Sequence, residues 1–152
     1  MPLVDSFFKE NKKVIITAVG NSMRPLIRHN KDGIVLEQYK GQKLTVGDMA
    51  FYKRDSSRYV LHRIVGVDDN GNFTMLGDNQ TDKEAGIRPD QIIAVPSAVI
   101  RGNKTFSVKS AGYKRYAKFW VKSKVFRRFN IFLFGQKIKI ARIIKGKKVS
   151  AE

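Results

Sequence analysis

The first 108 residues are a succession of short runs rich in β-branched and aromatic residues, punctuated by glycine, asparagine, aspartate and proline. "KVIITAV", "DGIVLEQY", "LTVGDMAFYKR", "RYVLHRIVGVD" and "IIAVPSAVIRG" each read as a strand. Asp32-Gly33 and Gly47-Asp48 supply turns, and "DDNGNFTML" reads as a hairpin around Asn70-Gly71. "KTFSV" is placed to pair back onto the preceding strand, and "GDNQTDKEAGIRPDQ" reads as a polar loop. This pattern predicts a mainly β fold: a small, antiparallel β domain. Two short helical pieces are expected beside it. One is an amphipathic segment in "VDSFFKENK", with Val4, Phe7 and Phe8 at helical spacing; the other is a turn over residues 22–27 with Pro25 early.

The charge then changes abruptly. Residues 1–100 carry 14 Lys and Arg against 12 Asp and Glu, whereas residues 101–152 carry 16 against 1. A near-neutral body with a strongly basic, helical extension follows, divided as 1–110 and 111–152 by this shift and the Gly102-Asn103 turn. In "GYKRYAKFWVKSKVFRRF", Tyr113, Tyr116, Phe119, Trp120 and Val121 are expected on one helical face. Such a tail suits an anionic partner. Its aromatic and aliphatic content favours an anionic membrane surface over a nucleic-acid backbone.

Composition also narrows the chemistry. There is no cysteine, which excludes disulfides and thiolate metal sites, and two histidines, His29 and His62, cannot build a multi-histidine zinc site. No cofactor is expected. "MPLVDSFFKENKK" lacks the apolar core of a secretory signal, and no run approaches the roughly 18 apolar residues of a spanning helix. The expectation is a cytoplasmic protein, peripheral at the inner face of the membrane.

One stretch raises the question of function. In "TAVGNSMRPLI", Ser22 follows Gly20 and Asn21, which tolerate unusual backbone angles. It is either a plain turn residue or a hydroxyl presented for attack, with neighbouring backbone N–H groups aimed at a developing oxyanion. A serine needs a base to become nucleophilic, and His62 in "VLHRIV" has a suitable intrinsic pKa. An acid from the following loop would orient the imidazole. Taken singly, each residue reads more simply as a turn, a packed histidine and a solvated loop.

Their order changes that. "GNSMRP", "VGDMAFYKR", "YVLHRIVGV" and "TMLGDNQ" together resemble the signal peptidase I and SOS-repressor superfamily of serine peptidases, the S24/S26-like group, over residues 13–101. The resemblance implies a Ser-His peptidase, with Ser22 as nucleophile and His62 as general base; no lysine occupies the strand from Tyr59 to Val67. It implies an orienting acid at Glu84 or Asp78, ranked together, with Asp82 behind them. Gly20 stands where bacterial members carry a hydroxyl residue, which leaves the oxyanion to backbone N–H groups with the Asn21 side chain as a helper. The membrane anchor of signal peptidases has no counterpart in the sequence, nor has the DNA-binding module of the repressors. Met23 and Pro25 frame the nucleophile, Arg63 is expected in a structural ion pair, and His29 in a surface loop. The rival reading is a non-catalytic module of the same fold whose tail binds membrane or nucleic acid.

Overall fold

The computed structural model describes Phe8 and residues 13–149. The β-rich runs become strands β1 (Lys13–Thr17), β2 (Asp32–Gln38), β3 (Met49–Lys53), β4 (Tyr59–Val67), β5 (Phe73–Leu76), β6 (Glu84–Ile87), β7 (Ile92–Arg101) and β8 (Lys104–Ser107). They form one antiparallel sheet in the order β1-β2-β7-β3-β4-β5-β6, with β8 also on β7. The protein is mainly β, as its sequence pattern predicts.

β7 organises the sheet. β2 pairs along one of its sides, while β3 takes its first half and β8 its second on the other. The β2–β7 register slips between Val35 and Leu36, opposite Pro96. Proline has no N–H to give the ladder, so a bulge at this point is the expected accommodation. The Gly102-Asn103 turn then folds β8 back onto β7.

β3 is buried on both faces, and its alternation sorts two cores. Met49 and Phe51 join Met23, Ile27, Ile34 and Leu36; Ala50 and Tyr52 join Ile64, Phe73, Met75 and Ile92. Next to it, β4 buries His62, Arg63 and Ile64 in succession. Two adjacent polar side chains thus enter the interior on opposite faces of one strand.

One local expectation changes. Part of the polar loop is β6, which pairs with β5 through Phe73–Ile87 and Met75–Glu84. Residues 22–27 form the expected helical turn: Ile27 N–H reaches Met23 O at 2.9 Å, and Pro25 has no N–H to add to it. The helix expected at the N-terminus lies outside the described residues except for Phe8, which is helical and buried in the first core.

The basic segment forms α1 (Ala111–Lys122) and α2 (Lys124–Val149). Ser110 caps α1 by accepting from Tyr113 N–H at 3.2 Å. The face that docks on the sheet carries Tyr113, Tyr116, Ala117 and Trp120, an i, i+3, i+4, i+7 stripe. Phe119, expected among them, points to solvent instead. Among the described residues no helix is long and apolar enough to cross a membrane.

Candidate active site

The serine turn is shaped by two glycines for different reasons. Gly20 has φ of +96°, which a side chain would strain, although the space around it is open. Gly77 is needed for closeness: a Cβ there would lie 2.7 Å from the Ser22 carbonyl oxygen. That carbonyl accepts from Asn79 N–H at 2.7 Å, so the "GDN" stretch is stapled directly onto the serine turn. Behind the turn, buried Asp32 accepts from Arg28 Nη2 at 2.7 Å and Arg101 Nη2 at 3.0 Å. Burial alone would raise the Asp32 pKa; hydrogen bonds from the two guanidinium groups outweigh it and hold the carboxyl at about 2.

His29 lies in a loop, as expected. It is half-buried, and its Nδ1 accepts from Gly20 N–H at 2.9 Å, bracing the turn two residues ahead of Ser22. Its position in "IRHNKD" gives no sign of this, because the contact depends on how the loop closes.

Ser22 and His62 line the same cleft, which has a volume of about 690 Å³. Its apolar walls include Ala18, Met23, Ile27, Ile34 and Leu61, with Arg54, Arg58 and Gln80 at polar positions. Among the described residues no hydrogen bond joins Ser22 to His62. The backbone N–H groups of Ser22 and Met23 likewise have no acceptor among the described residues. The Asn21 side chain is exposed.

His62 is buried, and its ring is held from behind by a relay. Tyr52 O–H donates to Glu84 Oε2 at 2.7 Å, and the Tyr52 oxygen stands 3.3 Å from His62 Nδ1. Having spent its proton on the carboxylate, that oxygen can only accept from the ring. Nδ1 therefore carries the hydrogen and Nε2 is left as the acceptor, the tautomer a general base requires. Burial drives the Tyr52 pKa far up, with Glu84 adding to it, so the phenol keeps its proton.

Glu84 is also clamped by Arg54, whose Nε donates to Oε1 at 2.7 Å and Nη2 to Oε2 at 2.5 Å. Burial lowers the His62 pKa most, Arg54 lowers it further, and Glu84 opposes both; the balance is about 4. At neutral pH the imidazole is uncharged and able to accept a proton.

The candidate acids separate cleanly. Glu84 reaches His62 through Tyr52. Asp78 instead forms a buried pair with Arg63, Nε to Oδ1 at 2.8 Å and Nη2 to Oδ2 at 2.6 Å, fulfilling the structural role expected of Arg63. Tyr116 O–H donates to Asp78 Oδ2 at 3.3 Å and Trp120 Nε1–H to the Asp78 carbonyl at 3.1 Å, while Arg63 Nη1 donates to the Tyr113 phenol oxygen and the Gly47 carbonyl. Asp82 is exposed and, among the described residues, accepts only from Thr81. The residue missed from sequence is Tyr52. Its signal was the period of two: on β3, Tyr52 shares a face with Ala50, whose partner across the ladder is His62.

Comparison of the chain with protein-family models, curated proteins and solved structures finds no match. The functional reading therefore rests on this geometry and on the motifs.

Proposed function

We propose that the protein is a serine endopeptidase of the signal-peptidase-like, S24/S26 type, acting through Ser22 and His62. The observation that carries this reading is the relay Glu84–Tyr52–His62, which sets the imidazole tautomer in a cleft that also holds a glycine-turn serine. In a catalytic site, buried polar groups are ordered by one another, whereas a histidine serving only to pack has no need of an oriented acceptor nitrogen.

The chemistry follows from these atoms. His62 Nε2 takes the Ser22 Oγ proton as Oγ bonds to the scissile carbonyl carbon. The resulting oxyanion takes hydrogen bonds from the N–H groups of Ser22 and Met23. Collapse breaks the C–N bond, and the imidazolium returns its proton to the departing amine. Water, deprotonated by the same nitrogen, then attacks the acyl ester and restores Ser22. Glu84 stabilises the transient imidazolium through Tyr52, and no metal is required.

Mass-spectrometric analysis of a peptide library incubated with the full chain tests the proposal. Wild type should produce discrete cuts, and Ser22→Ala or His62→Ala should lose at least about a thousandfold of the rate. Ser22→Ala should keep the wild-type melting curve. Cleavage by His62→Ala at the wild-type rate would overturn the mechanism. Absence of cleavage and of Ser22 labelling by phosphonate probes would favour the non-catalytic module.

A further inference from the structure

The outward side of α2 is apolar but for Gln136, the reverse of a helix resting on a soluble domain. Taking about 100° per residue, Val125, Phe129, Phe132, Leu133 and Ile140 fall within an arc of roughly 100°. All are exposed, Val125 at 82% and Phe132 at 59%. The opposite side is the one that packs: Arg127 is buried, and Phe134 lies under the Arg24 guanidinium, 4.5 Å from its carbon to the ring centroid. The stripe is therefore what remains after the helix has docked, not a face awaiting the sheet.

The stripe extends onto α1. Phe126 packs edge-on to Phe119 at 5.1 Å and to Trp120 at 5.7 Å, and the first two rings remain exposed at the helix junction. Cations border it, including Lys118, Lys122, Arg128, Lys137 and Lys139, and no Asp or Glu occurs from Ala111 to Val149. Two properties of the partner are thus specified together: negative charge, and an interior that accepts aliphatic and aromatic side chains.

We infer that α1 and α2 form a docking surface for an anionic lipid bilayer, lying in its plane with the Val125–Ile140 stripe at the headgroup–acyl boundary. A nucleic acid satisfies the charge alone, since its interface is polar and phosphate-lined and would leave the stripe in water. A bilayer satisfies both requirements. The docked helices also reach the cleft's framework. Trp120 holds Asp78, and Phe134 holds Arg24 two residues beyond Ser22, so bilayer docking would keep the cleft beside the membrane surface. The inference does not depend on catalysis.

Flotation of the full chain with phosphatidylcholine vesicles, with and without phosphatidylglycerol, tests it. Duplex DNA and RNA mobility shifts run in parallel. Binding should require phosphatidylglycerol and weaken with salt. Phe129→Ser/Phe132→Ser should reduce partitioning by at least about tenfold, and Lys137→Glu/Lys139→Glu by a similar factor. Val125→Ser, at the most exposed position, should change in the same direction and guards against misfolding of the double variants. Unchanged vesicle binding by folded Phe129→Ser/Phe132→Ser would overturn the inference. So would nucleic-acid binding without vesicle binding, or binding to neither.

Discussion

Asp78 and Glu84 leave the same polar stretch of sequence, yet one is fully buried on Arg63 while the other stays partly open beside Arg54 and Tyr52. The difference lies in what surrounds each pair. Asp78 meets α1, where Tyr116 donates to its carboxylate and Trp120 to its backbone carbonyl, and both help exclude water. Glu84 sits on β6, where one side faces solvent and the other faces the His62 relay. The Asp78 carboxylate is committed to Arg63 and Tyr116, with no hydrogen bond toward His62 among the described residues. An acid with one phenol between itself and an imidazole can stabilise the charge when it arrives.

That contrast breaks first at Asp78. Asp78→Asn keeps the shape but leaves Arg63 buried without its counter-charge, which should cost about 3–5 kcal/mol. Calorimetry should record a fall in Tm of roughly 10 °C, with kcat of the surviving folded fraction nearly unchanged. A kcat loss exceeding the loss of folded protein would move Asp78 into the catalytic relay.

Glu84 should behave in the opposite way. Glu84→Gln removes a partly exposed ion pair worth about 1 kcal/mol or less, while kcat/KM should drop by about 10- to 100-fold. Tyr52→Phe sharpens the test, because it cuts the relay without altering any charge. If it left kcat/KM at the wild-type value, Glu84 would be acting on His62 through space and not through the phenol.

The last effect concerns pH. The folded His62 pKa of about 4 lies below the ordinary 6.5. Between those values, falling pH protonates the unfolded chain but not the folded one. Stability from this residue is therefore present above pH 6.5 and is lost as pH falls toward 4, by up to about 3 kcal/mol. Arg54→Gln removes a cation that depresses this pKa, so the acidic limb of kcat/KM should move to higher pH. Glu84→Gln removes an opposing anion and should move it lower. Shifts of the same sign in both variants would break the electrostatic account.

Much of the fold was legible in the sequence because a half-buried strand must alternate, and turns need glycine, asparagine or aspartate. β6 escaped for the same reason: "EAGI" is short and mostly exposed, and Gly86 at φ +76° interrupts the apolar signal. Its strand character comes from pairing with β5. In α1 the spacing correctly gathered Tyr113, Tyr116 and Trp120, but Phe119 belongs to the outer surface. Helical periodicity identifies a stripe without saying which of two apolar stripes meets the sheet.

The sequence by itself determined the β architecture, the basic helical extension and the candidacy of Ser22 and His62, since each depends on local pattern. Which acid lies in hydrogen-bonded contact toward the histidine was decided only by the tertiary structure. Asp78 and Glu84 have equal claims along the chain, and strand pairing places Tyr52 beside His62 and Glu84 beyond it. The bond from His29 to Gly20 was decided there as well. These are contacts between segments distant in sequence, and their geometry exists only once the sheet has closed and its two faces have been filled.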